Sequence, residues 1–249
     1  MTAMATTREA ELAAALTRVR ERLTAAANAA GRNSDEIELL PITKFFPATD
    51  VLILAQLGCD AFGESREQEA AAKSAECNST APASSIRWHM VGRIQRNKAR
   101  SIAGWAYAAH SVDSSRLISA LDRASTGALS EGRRSAPLRV YIQLSLDGDA
   151  ERGGVDIAHP DLVDELCAQA HAADGLEFVG LMGIPPLGSD PEEAFARLQA
   201  EHQRVQKAYE QRLELSAGMS SDLEVAVKHG STCVRVGTAL LGQRPLTSP

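Results

Sequence analysis

Short apolar runs alternate with amphipathic segments along most of the chain. Eight runs have the length and composition of strands: residues 37–43, 61–64, 87–92, 107–112, 138–146, 176–184, 215–219 and 233–239. Helical patterns lie between them, among them "DVLILAQLG" ending at Gly58, "SSRLISALDRAS" from Ser114, and residues 190–212. Strand followed by helix, eight times, predicts an α/β fold of the (β/α)₈ TIM-barrel type, whose active site lies at the carboxyl ends of its parallel strands.

A doubly wound open sheet is the alternative fold. The barrel is favoured because no G-x-G-x-x-G turn follows the first strand, as a dinucleotide-binding fold would require. Pro41 has no N–H for a strand ladder, so we expect a bulge or a locally unpaired edge there. The polar segments 77–85 and 124–136 are typical of surface loops or helix ends. Because the alternation continues across them, the sequence predicts a single domain over residues 1–249.

The first 32 residues precede the first predicted strand and have the pattern of an amphipathic helix. Four apolar residues share one face of it: Leu12, Leu16, Val19 and Leu23. Thr6 and Glu9 have the spacing of a capping box, and Gly31 stands where the helix would end. Acidic residues interrupt the segment and it has no continuous apolar core, so it is not a signal peptide. We expect an extra helix, within residues 1–32, packed on the barrel.

Composition and charge narrow the classes of function. Of the 249 residues, 44% are hydrophobic and 23% charged, which predicts a packed core. The net charge is −6 and no basic cluster is present, so nucleic acid is not an expected partner. No apolar run reaches membrane-spanning length, so no membrane partner is expected either. The four cysteines are scattered without metal-ligand spacing, which predicts reduced thiols in a cytoplasmic protein and no metal site.

The stretch "ELLPITKFF", residues 38–46, ends in a lysine beside two phenylalanines. Lys44 either extends its ammonium to water along its aliphatic stem or occupies a desolvated pocket where its amine acts as a nucleophile. In a barrel, the position of Lys44 is the carboxyl end of the first strand, on the side of Leu40 and Ile42. Because that end carries the active site, a ligand-facing role gains weight over the solvent-facing one.

Two segments near the end of the chain have features of an anion site. Residues 216–221 turn from a strand through small residues into a helix that begins near Asp222, which exposes N–H groups and hydroxyls. The motif "RVGT" then places Arg235, Gly237 and Thr238 at the end of the last strand, where barrels commonly hold a phosphate. Taken alone, each of these two segments is also explained by an ordinary serine N-cap or a turn glycine with no ligand. Together with a lysine across the mouth, they suggest pyridoxal 5′-phosphate (PLP).

Other side chains would line the same mouth. His89 in "RWHMVG" could contact a ring face, although a lone strand histidine is often structural. Glu64 and Ser65 end the second strand, where a carboxylate more often orients its neighbours than catalyses. Met182 in "GLMGI" could pack under a planar ring or simply fill the core.

These motifs make the sequence resemble the YggS/PROSC family of PLP-binding proteins, the PLP homeostasis proteins. The resemblance covers residues from about 37 to 244, through "ITK", "FGES" with "REQE", "WHMVGRIQRNKA", "HSVDS", "GLMGI", "GMSSDLEVAVKHGST" and "VRVGTALLG". It implies an alanine-racemase-like barrel of PLP fold-type III with Lys44 as the Schiff-base lysine. It also implies a phosphate site made by Ser216, Ser220, Arg235, Gly237 and Thr238. Whether Arg235 faces the phosphate or the pyridine nitrogen stays open at this point.

The sequence departs from the family pattern at the mouth. The family often has Asn-Tyr after "FGE", whereas this chain has Ser65 and Arg66, so a side-chain amide contact to the cofactor is in doubt. "KFFP" replaces a more polar stretch after the lysine, which would make the lip of the pocket more apolar. Arg152 stands where a lysine is usual and keeps the charge.

The resemblance predicts a protein that buffers PLP through Lys44, without catalytic residues, and that delivers PLP to apo-enzymes as transient partners. A PLP-dependent amino-acid racemase is the alternative, but it needs a second acid/base group, such as a tyrosine. Tyr107, Tyr141 and Tyr209 fall on predicted strands or helices, and Pro249 follows soon after the last strand, so we expect a non-catalytic monomer. A third hypothesis is a barrel enzyme whose lysine forms an imine with a phosphorylated sugar or amine.

Overall fold

Parallel strands form the centre of the protein, seen in a computed structural model that describes residues 2–80, 86–149 and 151–243. The strands within these ranges are β1 (Glu38–Pro41), β2 (Ala61–Glu64), β3 (Arg87–Met90), β4 (Ala108–Val112), β5 (Leu138–Ser145), β6 (Val155–Asp156), β7 (Leu176–Gly183), β8 (Glu214–Ser216) and β9 (Cys233–Val236). Their order is β1-β9-β8-β7-β5-β4-β3-β2, with β6 paired to β5 outside this path. A bridge between Ile42 and Gly63 joins the two ends of this order and closes the barrel.

Helices follow the strands around the barrel. Those within the described ranges are α1 (Thr2–Ala29), α2 (Ala48–Gln56), α3 (Glu67–Thr80), α4 (Ala99–Trp105), α5 (Ser115–Ser130), α6 (Pro160–His171), α7 (Pro191–Gln206), α8 (Leu223–Lys228) and α9 (Thr238–Leu241). All eight predicted strands are present, with ends that differ by at most three residues. The predicted barrel is therefore confirmed over the doubly wound sheet.

The strand ladder is short at the seam between β1 and β2. The Ile42 N–H donates to the Val236 carbonyl on the β9 side, and the Thr43 N–H donates to the Gly63 carbonyl on the β2 side. By this alternation, the missing N–H of Pro41 faces β2, where the single bridge is the only ladder pairing described. No bulge is needed, so the prediction of a locally unpaired edge is confirmed.

The N-terminal helix α1 packs on the outside of the barrel. Its predicted apolar face is buried, and it joins a core with α2, α8 and the outer side of β9. Arg8 fixes the helix to α2, because its guanidinium contacts the buried Asp50 carboxylate at 2.6 Å and the Leu241 carbonyl at 3.1 Å. The helix begins at Thr2, so the predicted capping box at Thr6 and Glu9 is wrong. The alanine-rich start of the chain favours helix and extends it past Thr6.

Two further local predictions need correction. The helix predicted over residues 190–212 ends at Gln206, whose side-chain amide donates to the Gln211 carbonyl and accepts the Leu213 N–H, so that it closes the exit loop. The two-residue strand β6 has no sequence signal because it is too short to show a period. It depends on Gly154, where a Cβ would lie 2.8 Å from the Leu144 carbonyl carbon.

The predicted polar segments are helix ends: α3 ends at Thr80 and α5 ends at Ser130. Residues 81–85 of the first segment lie outside the described residues. No described helix is long and apolar enough to cross a membrane. The single domain over residues 1–249 and the cytoplasmic location stay predictions.

Candidate functional site

Lys44 lies at the mouth of the barrel, where the strands present their carboxyl ends. It follows the bridging residue Ile42 and sits in a turn over residues 43–46. A hydrogen bond from the Phe46 N–H to the Thr43 carbonyl (3.0 Å) closes this turn. Lys44 is half-buried. Its backbone position is therefore the one that the sequence predicted, at the functional end of the barrel.

A buried ionic network adjoins this turn. The Lys73 ammonium on α3 lies 2.6 Å from Glu64 Oε1 and 3.2 Å from Glu69 Oε1. It also donates to the Thr43 carbonyl (2.9 Å), while the Thr43 hydroxyl donates to Glu64 Oε1 (2.6 Å). The Phe45 N–H donates to Glu69 Oε1 (2.6 Å). Burial raises the pKa of the Glu64 carboxyl, and the adjacent Lys73 ammonium opposes that shift.

A second polar network crosses the interior of the barrel. Arg235 NH1 donates to Ser216 Oγ (2.7 Å), and NH2 donates to the Gly183 carbonyl (3.0 Å). Ser216 Oγ lies 2.9 Å from His110 Nδ1, and His110 Nε2 lies 2.9 Å from His89 Nδ1. The four residues that contribute side chains are Arg235, Ser216, His110 and His89, and none of them is more than 5% exposed. They form one hydrogen-bonded chain that runs from Arg235 near the mouth to His89 deeper in the barrel.

Both histidines of this chain are held neutral. Burial lowers the pKa of His89 to about 3, and it lowers the pKa of His110 well below its ordinary value. Nearby arginines add to both shifts. The His110 ring stacks on Tyr141 with the ring centres 4.1 Å apart, and the Tyr141 hydroxyl donates to Glu214. His89 is thus a buried hydrogen-bonded residue of the barrel interior.

Three of the predicted phosphate residues lie together at the start of α9. Ser220 Oγ accepts the Ala239 N–H (3.2 Å), which holds the loop after β8 against this helix. Gly237 directly precedes α9 and Thr238 is its first residue. Ser220 and Gly237 are half-buried and Thr238 is exposed, so these groups are accessible from the mouth. Ser216 lies apart from them, with its hydroxyl engaged in the interior chain.

Ser65 lies at the mouth, whereas Met182 lies in the barrel interior. Ser65 is half-buried and lines a cavity of about 730 Å³ between the turn at Phe45 and the segment after β3. The Arg66 guanidinium lies 4.9 Å from the centre of the Phe45 ring in the same region. Met182 is 1% exposed and packs with Tyr141 in the interior, on the strand beside Ser216.

Apart from Ser65 and Met182, the structure sorts the sequence-predicted residues into three groups. One is the lysine turn, the second is the loop cluster of Ser220, Gly237 and Thr238, and the third is the interior chain. Sequence reasoning gave no role to His110, Lys73 or Glu69. His110 had a signal, since it is a polar residue within the apolar run that predicted this strand. Lys73 and Glu69 had only their i, i+4 spacing, which surface ion pairs share.

The metal-ligating and thiol side chains of the described residues are dispersed. Among the described residues, no group of three or more His, Cys, Asp or Glu side chains could hold a metal ion. All four cysteines are free thiols, and three of them are buried: Cys77, Cys167 and Cys233. Burial raises the pKa of Cys77 to about 11, which keeps this thiol protonated at neutral pH.

Replacing His89 with glutamine should weaken the dependence of stability on pH. The pKa of folded His89, about 3, lies below the value of about 6.5 expected in the unfolded chain, so unfolding takes up a proton between these limits. Stability is therefore full above this window and falls as the pH falls through it. In His89→Gln, the slope of the free energy of unfolding between pH 6 and 4 should decrease by about one proton, or ~1.4 kcal/mol per pH unit.

Urea unfolding at several pH values measures this slope, and His159→Gln is the control because His159 is exposed. An unchanged slope in His89→Gln would show that His89 is not a buried neutral group.

Comparison with known proteins gives the family. A family model described as "Alanine racemase, N-terminal domain" matches residues 14–245. The pyridoxal phosphate homeostasis protein of Mycobacterium tuberculosis (strain ATCC 25618 / H37Rv) is 66% identical over 248 residues, which cover 97% of this chain and 96% of that protein.

Solved structures agree with this match. PipY of Synechococcus elongatus PCC7942, with PLP bound, is 32% identical with a TM-score of 0.77, over 93% of this chain and all of PipY (100%). The alanine racemase of Streptomyces coelicolor A3(2) is 16% identical with a TM-score of 0.69, over 93% of this chain and 58% of the racemase, and shows the shared fold alone. With two thirds of its residues identical to a homeostasis protein along nearly the full length, the chain belongs to the pyridoxal phosphate homeostasis protein family.

Proposed function

We propose that the protein binds PLP as a Schiff base with Lys44 and takes part in PLP homeostasis in the cytoplasm, where it buffers the cofactor and delivers it to apo-enzymes. The observation that carries this proposal is the position of Lys44 in a braced turn at the barrel mouth. The name of the Mycobacterium tuberculosis relative and the PLP bound in PipY support it.

The donor groups around the mouth fit the parts of PLP. The hydroxyls of Ser220 and Thr238, beside Gly237 at the start of α9, suit a phosphate. The Lys44 amine suits the aldehyde. Met182 lies deeper in the barrel interior than these groups, and Ser65 lines the mouth at the end of β2.

Arg235 suits the ring nitrogen better than the phosphate. Ser216 and the Gly183 carbonyl hold its guanidinium in the barrel interior, whereas Ser220 and Thr238 lie in a partly exposed loop cluster. We therefore assign Ser216 to holding Arg235, since its hydroxyl is fully buried and already engaged by Arg235 and His110. His89 and His110 then support Ser216 from below.

This arrangement favours binding over turnover. PLP supplies an aldehyde for amines and a ring that withdraws electrons when its nitrogen is protonated. A guanidinium does not give up its proton, so Arg235 leaves that nitrogen unprotonated and the ring a weak electron sink. The tyrosines lie away from the mouth: Tyr107 precedes β4, Tyr141 bonds Glu214 at the start of β8, and Tyr209 packs on Phe178 outside the barrel.

Lys44→Ala should abolish a covalent PLP adduct. Wild-type protein incubated with PLP should show a shifted near-visible absorption band, and borohydride should then fix the cofactor on a peptide that contains Lys44. Lys44→Ala removes the amine, so neither the band nor the labelled peptide should form. The measurement is absorption spectroscopy followed by peptide mapping.

The control is Lys207→Ala, which removes an exposed lysine far from the mouth and should behave as wild type. A label on another lysine, or the same adduct in Lys44→Ala, would refute the assignment. A wild-type protein that takes up no PLP would refute the proposed function as a whole.

The PLP-loaded protein should not exchange the α-proton of amino acids faster than free PLP does. No tyrosine lies at the mouth to serve as a second acid/base group, and the ring nitrogen faces a guanidinium, so the step that racemases need lacks support. Proton NMR of L-alanine in D₂O measures the exchange. Exchange at an enzymatic rate that Lys44→Ala abolishes would favour the racemase alternative.

A further inference from the structure

The two neighbours of Lys44 in the chain, Thr43 and Phe45, are hydrogen-bonded to side chains of β2 and α3. We propose that Glu69 and Lys73, together with Glu64, are positioning residues that set the direction and mobility of Lys44. This inference rests on the proposed function, because it concerns the same lysine. It adds a role for three residues that lie outside the cofactor cluster at α9.

On the N-terminal side, Thr43 is held through both its backbone and its side chain. The Lys73 ammonium donates to the Thr43 carbonyl at 2.9 Å, and the Thr43 hydroxyl donates to Glu64 Oε1 at 2.6 Å. Thr43 and Glu64 are fully buried at 0% exposure and Lys73 is 6% exposed. Solvent therefore does not compete for these bonds, and Thr43 cannot move without leaving buried polar groups of Lys73 and Glu64 with fewer hydrogen-bond partners.

On the C-terminal side, Phe45 adopts a backbone conformation that needs support. Its φ of 70° lies in the left-handed region, which is strained for a residue other than glycine. The Phe45 N–H donates to Glu69 Oε1 at 2.6 Å, and a bond to a carboxylate is about twice as strong as one between neutral groups. The Arg66 guanidinium also covers the Phe45 ring. These contacts offset the strain and fix the turn.

The side chains of Glu64, Glu69 and Lys73 compensate for the sparse backbone pairing between β1 and β2. Pro41 cannot donate toward β2, so the backbone link between β1 and β2 is the single bridge at Ile42. Glu64 is the last residue of β2, and Glu69 and Lys73 face it from the first two turns of α3. The turn that carries Lys44 is thus tied to rigid elements by side chains, as a preorganised reactive group requires.

Substitution of Glu69 tests the inference. Glu69→Ala removes the acceptor of the Phe45 N–H, so the dissociation constant for PLP should rise about tenfold and the absorption band of the adduct should form more slowly. Glu69→Gln keeps an amide oxygen for that N–H and should recover most of the loss. Glu76→Ala, an exposed carboxylate on the same helix, is the matched control and should equal wild type.

A second variant covers the case in which Glu69→Ala does not fold. Thr43→Val keeps the shape of the side chain but removes its donation to Glu64, so it should raise the dissociation constant about threefold and lower the melting temperature while the fold is retained. Wild-type binding and wild-type rate in the folded variant, Glu69→Ala or Thr43→Val, would overturn the inference. The positioning role also requires that restoring an acceptor for the Phe45 N–H restores PLP binding. If a folded Glu69→Gln binds PLP no better than Glu69→Ala, that result would count against the inference.

Failure of the inference can be told apart from failure of the proposed function. If wild-type protein forms the borohydride-fixed adduct at Lys44 while Glu69→Ala forms it equally well, only the positioning role is lost. If wild type forms no adduct at Lys44, the proposed function fails and the positioning role fails with it.

Discussion

Closure of the barrel between β1 and β2 is the constraint on which the rest of the structure depends. Parallel strands bring their carboxyl ends to one face, and a continuous ring keeps those ends within reach of one ligand. At this seam the backbone supplies one bridge, between Ile42 and Gly63. Gly63 leaves room for the Ile42 side chain at this bridge, because a Cβ there would lie 2.4 Å from Ile42 Cδ1. The buried pair of Glu64 and Lys73 adds to this closure, because both residues bond to Thr43 just after β1.

A buried ion pair of this kind is costly, and the structure shows how the cost is reduced. The Lys73 ammonium finds three oxygen partners, so its three N–H donors can all be satisfied. Glu64 Oε1 accepts from both Lys73 and Thr43, whereas Glu64 Oε2 has no partner among the described residues. The raised pKa of Glu64 follows from that incomplete solvation. Such a pair is better suited to fix a geometry than to add stability.

The fold was predictable because its signals repeat. Eight apolar runs, each followed by a helical pattern, define a barrel even when individual ends are misplaced, as at Gln206. Lys44 was predictable for a related reason, since a polar residue at the end of a barrel strand is placed at the mouth by the fold. Thr238 and Gly237 follow β9 in the same way.

Side-chain partners were much harder to predict from the sequence. Glu69 and Lys73 look like a surface ion pair, and only the three-dimensional packing shows that they reach across to residues 43–45. Ser216 was grouped with the phosphate residues, but the structure gives its hydroxyl to Arg235 and His110. Such pairings join residues far apart in the chain, and no local pattern records them.

In the proposed complex, Lys44 holds PLP at the mouth, with its phosphate at the start of α9 and its ring nitrogen toward Arg235. A crystal structure of the protein grown with PLP tests it most directly. The expected result is continuous electron density from Lys44 Nζ to the cofactor, the phosphate within hydrogen-bonding distance of Ser220 or Thr238, and the Arg235 guanidinium facing the ring nitrogen. Density for PLP attached to another lysine, or bound away from the mouth, would contradict it.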